Sequence, residues 1–305
     1  MLSSELSSEF RGRSLSRELF PLSFSEFVRR MGDADLSSSK GFSSSDAAVA
    51  RGALSEYLLR GGYMAALDLP VSDGMMLMQE YAYRTVAMDV VERYNLRTPR
   101  IATSFLTRCI ASSGRELSVN KVVNEFKSRG ASTSRETVSS LLSYYEEAYL
   151  VFSLGDLNRS LANNPRSSSK VYAVDPGMFA AFSPAASKEE GQRLETAVFN
   201  KLRRLAPQAR SGSLARLTFE HEGGSHEVDF VMGDALLGNV FQLVQVSVDM
   251  SNLKTRCREL SAVEAAMEKY GINEATIVTM DSEETVEMES GVVRVVPAWK
   301  WLLDD

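Results

Sequence analysis

The chain has two cysteines, Cys109 and Cys257, and two histidines, His221 and His226. Two distant thiols build no disulfide framework and suit a reducing compartment, so a cytoplasmic protein is expected. The His and Cys positions give no zinc-ligand spacing. No apolar run approaches the roughly 18 residues of a membrane span, and the opening MLSSELSSEF has no apolar signal core, so no membrane partner is expected. The formal net charge is −6, which leaves no global basic field to draw the protein onto nucleic acid. A G-x-x-x-x-G-K-[ST] phosphate loop is absent, and Gly61-Gly62 and Gly223-Gly224 lack the following lysine. ATP binding is therefore not expected of this form.

What is present reads as globular. At 305 residues, with 44% hydrophobic and 24% charged side chains, the chain has room for two or three domains. Ser23 or Ser25 caps a short helix that begins near Phe24. Asp33 to Ser45 is serine-rich and reads as a mobile loop. A helix over 47–60 is stopped by Gly61-Gly62, and a second is predicted over 73–94. From Thr98-Pro99, an N-cap with proline at the first helical position, three short helices are predicted over 100–111, 120–128 and 134–148. A strand over 149–154 follows, which makes the layout of a winged helix-turn-helix. Residues 158–169 read as a wing tip or linker. The last third alternates helices and strands, which predicts an α/β domain with a mixed sheet.

Glu195, Asp229 and Gln245 form the sharpest constellation. Metal-dependent phosphodiester cleavage needs two or three oxygen ligands for Mg²⁺ and often a lysine beside the attacking water. Asp229 lies mid-strand in Glu227-Val228-Asp229-Phe230, and strand alternation puts it on the face opposite Val228 and Phe230. Gln245 and Ser247 share a strand face, and serine stands where a lysine would complete the set. Glu195, on a helix upstream, is placed to reach the same face. Asp229 and Glu195 are the candidate metal ligands, for weak binding of Mg²⁺ if any; no resident cofactor is expected. The plainer alternative is a hydrogen-bonded Asp229 kept by the fold without catalysis.

Residues 99–150 carry seven basic and five acidic side chains. Lys121, Lys127, Arg129 and Arg135 lie around the turn and the start of the recognition helix, where phosphate contacts are made. A DNA contact and a solvated spacer between domains both fit this balance. Met75-Met76-Leu77-Met78 reads as adaptable core. Glu283, Glu284, Glu287 and Glu289 read as a solvated acidic hairpin.

Several stretches, in this order, resemble a family of prokaryotic AAA-type ATPases that end in a domain of unknown function. They are Phe10-Arg11-Gly12-Arg13, Glu18-Leu19-Phe20-Pro21-Leu22-Ser23-Phe24, Leu59-Arg60-Gly61-Gly62-Tyr63 and Tyr83-Arg84-Thr85-Val86. Further matches are Lys170-Val171-Tyr172-Ala173-Val174-Asp175, Leu194-Glu195-Thr196-Ala197, Glu227-Val228-Asp229-Phe230 and Gln245-Val246-Ser247. The resemblance implies an ATPase core and helical lid, then a winged helix and a PD-(D/E)xK nuclease-like domain. It also implies that Arg11 or Arg13 senses a nucleotide γ-phosphate. The chain departs from the family in lacking the phosphate loop and the acidic Mg²⁺ strand upstream, and in carrying Met64 where a proline is usual.

The expected fold is α+β and multidomain. Residues 1–97 would be a remnant of the ATPase core and lid, 98–165 the winged helix-turn-helix, and 166–305 a restriction-endonuclease-like α/β domain. The expected role is a truncated relative acting as a non-catalytic DNA- or protein-binding module with a degenerate nuclease site. Its rivals are an active Mg²⁺-dependent nuclease and the C-terminal part of a full-length ATPase with a misassigned start.

Overall fold

The computed structural model describes residues 18–32, 42–157, 169–183, 189–206, 213–221, 223–234 and 239–304. It is an α+β structure with two sheets. The stretches expected as a mobile loop and as a wing tip lie largely outside the described residues.

The chain enters through α1 (Phe24–Met31), capped by Ser23 in a reciprocal box with Glu26, as the sequence led one to expect. Helix α2 (Ser44–Arg60) uses the same device, with Ser43 and Asp46, and begins three residues before the expected start at 47. A short turn α3 (Met64–Leu67) leads to α4 (Val71–Thr85). The single helix predicted over 73–94 changes character within its span. Residues Val86–Glu92 are π-helical, a widening that sequence periodicity does not report.

Next come α5 (Pro99–Ile110), β1 (Arg115–Leu117), α6 (Val119–Ser128), α7 (Arg135–Glu147), β2 (Val151–Leu154) and β3 (Ser169–Ala173). The three strands pair antiparallel in the order β1-β3-β2. Side-chain caps from Ser118 and Ser134 start α6 and α7. Strand β1 is too short to leave a sequence pattern, and its three residues complete the small sheet.

Helices α8 (Pro176–Phe182) and α9 (Glu190–Leu205) lead into the large sheet. Its strands are β4 (Leu214–His221), β5 (Gly224–Asp234), β6 (Asn239–Val246), β7 (Glu274–Thr279), β8 (Glu284–Met288) and β9 (Gly291–Pro297). They lie in the order β4-β5-β6-β7-β9-β8. Strands β6, β7 and β9 run parallel, and α10 (Leu253–Tyr270) makes the crossover from β6 to β7. A last helix, α11 (Ala298–Leu303), closes the chain.

Neighbouring strand residues serve opposite faces, which explains their apolar runs. Leu243, Ile277 and Val231 pack with Val263, Ala266 and Met267 of α10. Val244, Val278 and Phe230 pack on the other side with Leu194, Val198 and Phe199 of α9. That second core also takes Phe24 and Phe27 from α1, Leu54 and Tyr57 from α2, and Trp299 from α11. The first and last described helices therefore share one interior. Burying a phenylalanine there contributes about 1.5–3 kcal/mol. A third core joins the small sheet to α4 through α8. Among the described residues no helix is long and apolar enough to cross a membrane.

Candidate functional site

The site lies where the small sheet meets the large one, and one irregularity shapes it. On β4 and β5, Ala215 pairs with Val231 and Leu217 with Val228. One residue, Arg216, therefore faces two, Asp229 and Phe230, which is a β-bulge. The expectation that Asp229 lies opposite both its neighbours needs correction. Across the bulge Val228 joins the α10-side core and Phe230 the α9-side core. The extra residue frees Asp229 from simple alternation and turns it toward β3.

A lysine that sequence reasoning overlooked occupies the centre. Lys170 of β3 places its ammonium 2.8 Å from Asp229 Oδ1, 3.1 Å from Glu195 Oε1 and 3.1 Å from Glu227 Oε1. An ammonium has three donors, and here three carboxylates face it. The Lys170 side chain is 9% exposed. Tyr172, two residues on and on the same strand face, donates its hydroxyl to Glu195 Oε1 at 2.8 Å. That alternation, Lys170 then Tyr172 inside an otherwise apolar strand, was the signal available in the sequence.

Further oxygens of the group are engaged by Val246, Asp229, Gln245 and Arg258. Asp229 Oδ2 accepts from the Val246 backbone N–H at 3.1 Å. Gln245 Oε1 accepts from the Asp229 N–H at 2.9 Å, and its amide donates to Glu259 Oε2 at 2.6 Å. Arg258 pairs with the outer oxygen of Glu259. Ser247 lies just past the end of β6 and donates to the Asp249 carbonyl at 3.3 Å, so it turns away from the carboxylates. Glu195, Asp229 and Gln245 thus come together around Lys170, while Ser247 borders the group without joining it. Among the described residues no set of three His, Cys, Asp or Glu side chains is disposed to hold a metal ion.

Charge crosses the joint in both directions. Lys170 reaches from the small sheet to α9 and β5. Arg216, buried on β4, reaches back to Glu116 of β1 and lies 3.7 Å from Glu227. Ser113 and Thr196 hydroxyls meet at 2.8 Å beside them, and Arg115 donates to Gln192 at 2.7 Å. Burial alone would lower the Lys170 pKa, but Asp229, Glu195 and Glu227 reverse this and raise it. Burial, and then the charge of Asp229, push Glu195 up to about 7 against the pull of Lys170.

The basic residues singled out in the sequence lie at the surface of the helical segment. Lys121 is in the first turn of α6 and Lys127 in its last, while Arg135 opens α7; all three are exposed. Arg129 is also exposed and pairs with Glu125 at 2.8 Å. Arg11 and Arg13 lie outside the described residues.

Residues 51–189 match the model of a domain of unknown function, DUF8612. That segment contains Lys170 and ends before Glu195, so it covers one side of the joint. The chain is also similar to an uncharacterized protein of Methanocaldococcus jannaschii, 30% identical over 311 residues, covering 99% of this chain and 66% of that protein. It is 24% identical over 233 residues to an uncharacterized protein of Haemophilus influenzae, covering 76% of this chain and 53% of the relative. The chain thus spans only part of the length of both relatives. No solved structure matches it.

Proposed function

We propose that this chain is a non-catalytic DNA-binding module related to AAA-type ATPases, built from a winged helix and a PD-(D/E)xK nuclease-like domain. The order α5-β1-α6-α7-β2-β3, with β3 between β1 and β2, supports the winged-helix reading, in which α7 would be the recognition helix. The run α9-β4-β5-β6-α10-β7, with acidic residues on α9 and β5, supports the nuclease-like reading. One observation carries the loss of catalysis: the Lys170 ammonium occupies the centre of the carboxylate group. A divalent cation in that position would face a fixed positive charge at contact distance. Cys109 and Cys257 are both free thiols, which suits the cytoplasm.

The test is twofold. Fluorescence anisotropy with labelled duplex DNA should show binding that falls steeply with salt. Supercoiled plasmid incubated with Mg²⁺ or Mn²⁺ should stay uncut. Absence of duplex binding at low salt would turn the module into a protein-binding one. Cleavage that disappears in Asp229→Ala would overturn the non-catalytic reading.

A second reading, an active Mg²⁺ nuclease, is favoured by the same lysine, since Lys170 supplies the ammonium that Ser247 does not. Under it, Lys170→Ala abolishes cleavage. The third reading, part of a full-length ATPase, is favoured by the greater length of the relatives. Reading the DNA upstream of Met1 for an in-frame phosphate loop tests it. ATP binding by the chain as it stands is not part of the proposal, because no phosphate loop is present to cradle the nucleotide.

A further inference from the structure

We propose that Lys170 is a latch: it fastens the β1-β3-β2 sheet to the large sheet and, while fastened, keeps divalent cations out of the Glu195–Glu227–Asp229 group. This rests on reading that group as a remnant nuclease site, and it names what regulates it. The parts held together come from different units. Lys170 sits on β3, whose partners are β1 and β2, whereas Glu195 is on α9 and Glu227 and Asp229 are on β5. Arg216 and Glu116 make a second tie from the opposite side, and Glu227 lies within reach of both cations. The two ties therefore form one connected network across the joint.

The latch excludes metal by occupancy and by charge. Mg²⁺ demands six oxygen ligands in near-ideal geometry, and Mn²⁺ prefers oxygen ligands as well. One oxygen of each of the three carboxylates contacts the ammonium, Asp229 Oδ2 accepts a backbone N–H, and the Gln245 carbonyl oxygen accepts another. Buried charges of like sign at such separations are strongly disfavoured in a medium of low effective dielectric. Cation entry therefore requires the Lys170 ammonium to leave, by a change of its side-chain rotamer or by movement of β3. A ligand that shifts the small sheet would open the site without touching it.

Mn²⁺ alone is the probe, its free concentration read by electron paramagnetic resonance. Wild-type protein and Lys170→Arg should show no saturable binding at millimolar metal. Lys170→Gln should bind one Mn²⁺ per chain with a Kd at least about tenfold below the millimolar range in which wild type shows none. The double variant Lys170→Gln/Asp229→Asn should lose that gain. A folded Lys170→Gln that binds Mn²⁺ no better than wild type overturns the latch. If Lys170→Gln does not fold, the wild-type protein decides. The ¹⁵Nζ signal of Lys170, protected by burial, should persist in millimolar Mg²⁺, and its disappearance there overturns the proposal. Duplex binding through α6 and α7 is measured separately, so failure of the latch and failure of the DNA-binding reading are distinguishable.

Discussion

A Cβ placed on Gly61 would lie 1.7 Å from Asp175 Oδ1. Gly61 has φ 71°, and Asp175 is fully enclosed, accepting from the backbone N–H of Gly62 at 2.7 Å, of Gly177 at 2.8 Å and of Met178 at 3.1 Å. A Cβ on Gly62 would meet the Leu22 carbonyl at 2.2 Å, and one on Gly177 the Arg60 carbonyl at 2.2 Å. Leu59-Arg60-Gly61-Gly62-Tyr63 and Lys170-to-Asp175, far apart in sequence, thus meet in one backbone knot that ties α2 to the start of α8.

Gly61→Ala and Gly177→Ala are each expected to cost about 3 kcal/mol or more, because backbone and a buried carboxylate must move. Gly271→Ala is the control. Its φ is 66°, with nothing within 4 Å of the added Cβ, so only backbone strain of about 1 kcal/mol is expected. Urea unfolding of the three variants measures the contrast, and equal losses would refute the knot.

The proton on Glu195 gives a pH signature. Its folded-state pKa is about 7, above its ordinary value of 4.5, so the folded protein holds this proton over a range where the unfolded chain has released it. Stability from this group is full below the unfolded value and is lost as pH rises from about 4.5 toward 7. Lys170 remains charged throughout, since its pKa is raised. Unfolding free energies at pH 5 and pH 7.5 should differ less in Glu195→Gln than in wild type. An identical difference would show that Glu195 does not titrate in this window.

For duplex binding, Lys121→Ala and Lys127→Ala should each reduce the slope of log K against log salt by about one, with no change of sequence preference. Arg129→Ala should have a smaller effect, because Glu125 already neutralises much of that charge. Titrations at several salt concentrations decide this. A larger effect at Arg129 than at Lys127 would place the phosphate path elsewhere.

Ser247→Lys should not create nuclease activity. The carboxylates that a new lysine would serve are already bonded to Lys170, and the Ser247 hydroxyl points to the Asp249 carbonyl. Plasmid nicking with Mn²⁺ is the measurement. Cleavage by this single variant would mean that the missing lysine at 247 was the sole defect.

Much of the element order could be read from the sequence because it rests on local physics. Ser23 with Glu26 marks a helix start, Thr98-Pro99 another, and the doubly apolar runs of β6 and β7 follow from cores on both sheet faces. The grouping of Glu195, Asp229 and Gln245 was legible through their helix and strand placement. For Lys170 only its alternation with Tyr172 was visible and its role was not, because its partners lie 25, 57 and 59 residues away and no local period links them. The bulge opposite Arg216 was equally hidden, since a one-residue excess exists only relative to the partner strand. The widening at Val86–Glu92 leaves the apolar pattern almost intact, so the sequence reads through it as one helix.

The core shared by the first and last helices has a consequence for synthesis of the chain. Phe24 and Phe27 of α1 pack in the same interior as Trp299 and Leu302 of α11, and Lys201 donates to the Trp301 carbonyl. On the ribosome, α1 and α2 emerge long before the strands and final helix that cover their apolar sides. Contacts of such sequence separation form late and slow folding. The early helices therefore wait, exposed and open to chaperones or self-association, until the large sheet and α11 have emerged. Completion of this core requires α11, and removal of Trp299 and Leu302 would uncover part of the surface that Phe24 and Phe27 bury.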